Sequence, residues 1–219
     1  MKDIQGRLEV RWDTYWSGFM NSPLIEFVRF RLVAGAYDRL VRHLPATVEI
    51  KRICELGAGT GTMSKYLARR YSSAVVLVDS NAEALRLSGE LFEGQAVSCQ
   101  RVEKDVFDLE ALHGAFDLVH SGGLIEHFIG AARREIVPVH CRLAGPGGRV
   151  IILVPVRNWF YRLLNEGVFR AFKLLQDIPE VPWSLAELEE ALRLCGFRIV
   201  ARTMVLTELG VLAERIAGD

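Results

Sequence analysis

Residues 53–68, ICELGAGTGTMSKYLA, constrain this chain more than any other stretch. A short apolar run gives way to glycines at alternate positions, Gly57, Gly59 and Gly61, with Ala58 between the first two, and then to helix-favouring residues. Glycine allows the backbone to turn sharply at a strand's end, and without a Cβ it lets a ligand lie against main chain near the N–H groups of the helix that follows. Strand, turn and helix around a nucleotide-type binding loop are the expectation. A dinucleotide loop is spaced G-x-G-x-x-G, its last glycine permitting close helix packing beside a pyrophosphate. Here the spacing is G-x-G-x-G, and Glu55 stands two residues before the first glycine. A carboxylate there is ill placed beside a pyrophosphate and well placed near a cation or an amine.

Downstream, apolar runs alternate with helical patterns. AVVLV at 74–78 predicts a buried parallel strand ending at Asp79, with a helix over 81–91 capped by Asp79 or Ser80. Asp79 lies about twenty residues past the loop, the offset at which an acid accepts from both hydroxyls of a ribose. A third strand over 97–102 leads to Asp105-Val106, and FDLV at 116–119 predicts a fourth, running into HSGGLIEHF. A helix over 131–143 carries Pro138, which should kink or split it. GPGG at 145–148 reads as a breaker before the most apolar strand, 149–156. Ser184-x-x-Glu187 is a capping box opening a helix to residue 194, with Gly196 ending it, and 197–205 and 211–216 predict a hairpin around Leu209-Gly210. Such alternation calls for a doubly wound α/β sheet, in which ligands bind at the carboxyl ends of the strands. Glu55, Asp79 and Asp105 fall at the ends of three successive predicted strands.

This ordered set, an acid before G-x-G-x-G, an acid ending the second strand, D-V after the third, and D-L-V followed by a helix carrying E-H, resembles the class I S-adenosylmethionine-dependent methyltransferases. The resemblance covers residues 53 to about 216. It implies a Rossmann-like, mostly parallel seven-stranded sheet with an antiparallel last strand, and S-adenosylmethionine as cofactor. It also implies roles: Glu55 toward the methionine amino group, Gly57–Gly61 beneath the methionine and ribose, Asp79 with Ser80 on the ribose, Asp105 and Val106 on adenine, and His120 and Ser121 beside the sulfonium. In-line methyl transfer asks for alignment and exclusion of water, and at most for removal of one proton. His127, an imidazole just after the fourth strand, is the candidate base. Glu126, Tyr15, Trp16 and Tyr161 are candidate substrate contacts, and Arg157 a candidate for an anionic substrate.

The flanks carry the rest of the argument. With 219 residues, half of them hydrophobic, the chain reads as one domain: a helical N-terminal extension over 1–45, a cofactor-binding core over 46–156, a helical insertion over 157–183, and a closing helix and hairpin over 184–219. In 24–44, Ile25, Val28, Leu32, Ala36, Leu40 and Leu44 recur at helical spacing behind Ser22-Pro23, a cap and first-turn proline. RWDTYWSGFM and the aromatic 157–183 segment are expected to form a lid over the ligand or an interface with a second copy or a protein partner. Lys plus Arg and Asp plus Glu balance at 27 each, so no field favours nucleic acid, and a small molecule is the expected substrate. Scattered Cys54, Cys99, Cys141 and Cys195 show no metal-ligand spacing, no apolar run reaches membrane-spanning length, and a cytoplasmic protein without metal or membrane association is expected. Two other readings stand beside the methyltransferase: a cofactor-binding interaction domain that does not catalyse, and an NAD(P)-dependent oxidoreductase.

Overall fold

The computed structural model describes residues 6, 8, 12, 23–156 and 179–216, with side chains in its first helix from residue 30 onward. Alternation along β1 (Arg52–Leu56) sorts the molecule into two layers. Ile53 packs into one core cluster, while Cys54 and Leu56 pack into the other. In β2 (Ala74–Asp79), Val75 and Leu77 join the first cluster and Val76 and Val78 the second. Because both faces are covered, the interior of each strand is apolar on both sides, Ile53, Cys54 and Leu56 in β1 and Val75–Val78 in β2.

The remaining strands are β3 (Cys99–Glu103), β4 (Phe116–Gly122), β5 (Ala144–Pro155), β6 (Phe197–Val205) and β7 (Glu208–Arg215), in the sheet order β3-β2-β1-β4-β5-β7-β6. The first five pair in parallel, and β7 lies antiparallel between β5 and β6. Helices α1 (Pro23–Val41), α2 (Thr62–Tyr71) and α3 (Ala82–Phe92) cover the Ile53 side, and α4 (Gly130–Leu143) and α5 (Leu185–Leu194) the other. The expected doubly wound sheet with an antiparallel last strand is the observed one.

Several local expectations are corrected. The cap of α3 is Asn81, whose side chain accepts from the Ala84 amide, while Asp79 is turned back toward the glycine loop. Pro138 does not split α4, which runs as one helix of 14 residues; a single proline removes one donor, and Ile136, Val137 and Val139 around it are held in the core. The GPGG stretch is not a break before β5 but part of it, because Ala144 already pairs with Phe116. A Cβ on Gly148 would come within 2.9 Å of the Phe116 carbonyl oxygen, so close backbone approach, not a turn, demands glycine there. The hairpin turns at Leu206-Thr207, with Leu206 at φ 53, whereas Leu209 and Gly210 lie within β7 opposite Val154 and Leu153. On α1, Ala36 and Leu40 are buried as expected, but Leu32 is exposed and lines a cavity rather than the core.

Candidate cofactor and acceptor site

A cavity of about 470 Å³ opens at the carboxyl ends of β1, β2 and β4, where the sheet order reverses between β1 and β4. Its first wall is the glycine loop. Gly57 (φ 60) and Gly59 (φ 53) line it in left-handed backbone with Ala58 between them. A Cβ on Gly57 would stand 2.7 Å from Leu124 Cδ1, so bare main chain is what leaves room there. Gly61 (φ 71) does a different job, as the N-cap of α2, where a Cβ would meet Leu77 Cδ1 at 2.6 Å and Phe92 Cε2 at 3.2 Å. The third glycine sets close helix packing and is not part of the cavity lining.

Asp79 and Ser80 line the cavity on the far side of the loop. Asp79 Oδ2 accepts from the Gly59 amide at 2.8 Å and Oδ1 from the Asn81 amide at 2.9 Å, which clamps the loop to the end of β2. Burial raises the Asp79 pKa against those amide bonds, which lower it. The Ser80 amide is a third donor to it, and with about four acceptor sites on its two oxygens the carboxylate keeps capacity for a further donor. Val106 also lines the cavity, whereas the Asp105 carboxylate turns to the Phe107 amide at 3.0 Å and is not among the lining groups.

Glu55 ends β1 at the cavity floor and is 7% exposed. Its Oε2 accepts from the Ser64 amide at 3.3 Å and its Oε1 lies 3.9 Å from His120 Nδ1. Burial pushes its carboxyl pKa up to about 8, against the Ser64 hydrogen bonds.

His120 and Ser121, expected beside the ligand, lie behind this wall. β4 runs on to Gly122, so His120 and Ser121 pair in register with Ile151 and Ile152 and point to opposite packed layers. His120 Nδ1 sits 2.9 Å from the Tyr37 hydroxyl and Nε2 2.9 Å from Ser64 Oγ. Ser121 Oγ meets His140 Nε2 at 2.8 Å, and His140 Nδ1 donates to the Ile136 carbonyl. Burial pulls the pKa of His120 down to about 3 and that of His140 to about 4, so both are neutral.

The opposite wall is a 3₁₀ turn, Ile125–His127, reached through Gly123 at φ 72. It is fastened from three directions: the Leu8 amide donates to the His127 carbonyl, the Val181 amide to the Glu126 carbonyl, and Trp183 Nε1 to the Ile125 carbonyl. Arg133 stacks on Trp183 with its guanidinium 4.0 Å from the ring centre and donates to the Val181 and Pro182 carbonyls and to Glu187. His127 Nδ1 donates to the Pro179 carbonyl at 3.1 Å, which leaves the neutral ring's lone pair on Nε2, 3.9 Å from Glu126 Oε1. Trp12 packs edge-on against this imidazole, and burial lowers its pKa against the carbonyls of Pro179 and Gly123.

Sequence reasoning missed Leu124, Thr60 and Met63 on the loop side, and Thr207 and Glu208 from the β6–β7 turn. The turn residues come from far along the chain, and only the antiparallel insertion of β7 beside β5 brings them to the site. Tyr15, Trp16, Arg157 and Tyr161 lie outside the described residues, as do the expected lid or interface segments. Among the described residues no helix is long and apolar enough to cross a membrane, and all four cysteines are free.

Residues 53–148, from β1 through the glycines of β5, match the family model described as a methyltransferase domain. The match takes in the first four strands, the glycine loop and the start of β5, and makes up less than half of the chain. The chain is similar to the chloroplastic tocopherol O-methyltransferase of Arabidopsis thaliana, 29% identical over 123 residues that cover 54% of this chain and 33% of that protein. It is also similar to the trans-aconitate 2-methyltransferase of Deinococcus radiodurans, 30% identical over 141 residues that cover 61% and 49%. It thus spans a third to about half the length of the curated relatives it matches. Among solved structures, the magnesium protoporphyrin IX methyltransferase of Synechocystis, determined with bound SAH, superposes with a TM-score of 0.67 at 16% identity over 94% of this chain and 93% of that one. That likeness is one of fold.

Proposed function

We propose that this chain binds S-adenosylmethionine in the cavity between the glycine loop and the Ile125–His127 turn and transfers its methyl group to a small-molecule acceptor. The observation that carries the reading is the clamp of Asp79 on Gly59, which sets a half-buried carboxylate and a Cβ-free loop on one cavity, both within the residues that match the methyltransferase family model. The residues fit the cofactor's chemistry. Asp79 has acceptor capacity left for a ribose hydroxyl, the loop at Gly57 presents bare left-handed main chain, Val106 offers an apolar face and a backbone amide for a base, and Glu55 is an acid for an ammonium group. When bound, S-adenosylmethionine supplies a sulfonium-activated methyl group.

The chain's own contribution is placement and dryness. Leu124, Phe128 and Leu153 make the cavity wall apolar, which excludes water from a displacement that water would otherwise enter. His127 Nε2 is the site for a proton leaving the acceptor, and the Pro179 carbonyl holds the ring in the required tautomer. Glu55, held protonated by burial, must lose its proton to pair with an ammonium group, so binding releases a proton near neutral pH.

Calorimetry with S-adenosylhomocysteine, NAD and NADP tests the reading. Saturable binding of S-adenosylhomocysteine, weakened in Asp79→Ala, is expected. Binding of a dinucleotide with none of S-adenosylhomocysteine would overturn it.

A further inference from the structure

Glu126 lines the cavity beside His127, 2% exposed, and its Oε2 has no hydrogen-bond partner. An unpaired buried carboxyl oxygen costs free energy comparable to a lost hydrogen bond, and groups of this kind persist where a ligand completes them. Its surroundings add to the demand for positive charge. Glu180 and Glu208 line the same cavity close enough to raise its pKa, and Arg133, the cation that opposes them, is engaged by Trp183 and Glu187. Among the described lining residues there are five acidic side chains, Glu55, Asp79, Glu126, Glu180 and Glu208, and no Lys or Arg. The rest of that wall is apolar and aromatic, with Trp12, Phe30 and Phe128.

We propose that the acceptor carries a cationic nitrogen, an ammonium on an aromatic or similarly apolar body, which seats on Glu126 Oε2. The inference rests on the methyltransferase reading and narrows its substrate class. Pairing turns a buried acid with an unsatisfied oxygen into a charge-assisted hydrogen bond, which is stronger than a neutral one and gains from the low dielectric of the cavity. A carboxylate seated there would face the Glu126 carboxyl, so a polycarboxylate such as the one named for the Deinococcus relative is a poor fit to this position. His127, 3.9 Å from Glu126 Oε1, completes a site that holds a cation and can take up a proton beside it.

The test uses the whole chain saturated with S-adenosylhomocysteine and three probes of matched shape: phenethylamine, phenethyl alcohol and 3-phenylpropionate. Calorimetry should give saturable binding of phenethylamine, at least tenfold weaker binding of the alcohol and none of the carboxylate. Glu126→Gln should weaken phenethylamine at least tenfold while keeping its affinity for S-adenosylhomocysteine, which also reports that the variant is folded. Equal or tighter binding of the alcohol or carboxylate, no binding of phenethylamine, or undiminished phenethylamine binding by Glu126→Gln would overturn the proposal. If that variant does not fold, the ranking of the three probes on the native chain decides alone. Failure of S-adenosylhomocysteine to bind the native chain would instead overturn the methyltransferase reading beneath it.

Discussion

The Tyr37 hydroxyl on α1 lies 2.9 Å from Nδ1 of His120 on β4, and both side chains are fully buried. The contact starts a chain of polar groups that passes from His120 Nε2 to Ser64 Oγ on α2 and from Ser64 to Glu55 at the cavity floor. The network ties the orientation of Glu55 to a helix outside the residues that match the family model.

Tyr37→Phe should therefore destabilise the chain by about 1–3 kcal/mol, since it leaves the buried His120 Nδ1 without its hydrogen-bond partner. Urea unfolding measures this directly. A midpoint equal to that of the native chain would mean that His120 finds another partner.

Stability should fall as pH rises from about 6.5 to 8. Burial raises the Glu55 pKa to about 8 in the folded chain, against about 4.5 when unfolded. The folded state thus holds more protons than the unfolded state in this window, and stability present below the unfolded pKa is lost as pH climbs through the folded one. Glu126, also raised by burial, acts in the same direction. His120 and His140 have depressed pKa values, so their contribution is complete above pH 6.5 and is lost only as pH falls below it. Glu55→Gln should flatten the 6.5–8 slope by up to about 1 kcal/mol per pH unit, as read from denaturant midpoints at each pH.

If His127 is the base, kcat at saturating cofactor and acceptor should rise through a pKa below 6.5 and stay level above it, because burial lowers the imidazole pKa. His127→Gln should abolish that limb and reduce kcat about 10²–10⁴-fold. A variant with the native pH profile and turnover would remove His127 from proton transfer.

Asp79→Ala should weaken S-adenosylhomocysteine by about 1–3 kcal/mol in calorimetry. The loss has two sources: the acceptor for ribose hydroxyls, and the bond to the Gly59 amide that holds the loop. Asp79→Asn keeps a carbonyl oxygen for the amide, so an affinity midway between native and alanine would separate the two.

Much of this arrangement was legible in the sequence because local rules carried it. The middles of β1, β2 and β5 are buried on both faces and are apolar on both, and Ser184 caps α5 through the Glu187 amide as its spacing requires. Glu55, Asp79 and Val106 are readable as site residues because strand ends meet at the point where the sheet order reverses. What escaped depends on tertiary register. The length of β4 is set by its pairing with β5, and three more paired residues carry His120 and Ser121 from the rim into the packed layers. In the same way GPGG has the composition of a turn, yet close approach to β4 makes it strand.

The three glycines of the loop should respond differently to alanine, which tests their separate roles. At Gly57 an added Cβ meets the terminal methyl of Leu124, a half-buried side chain at the cavity edge that can swing aside. Left-handed backbone then costs about 1–2 kcal/mol, and the displaced Leu124 should narrow the cavity, so S-adenosylhomocysteine binding should suffer more than stability. At Gly61 the Cβ meets Leu77 and Phe92, both in the core, so overpacking of about 1–3 kcal/mol adds to the backbone strain. Gly61→Ala should therefore lower the melting temperature more than Gly57→Ala. Adding Leu124→Ala should restore ligand binding to Gly57→Ala and do nothing for Gly61→Ala. A reversed order of melting temperatures would place the packing demand at the first glycine instead of the third.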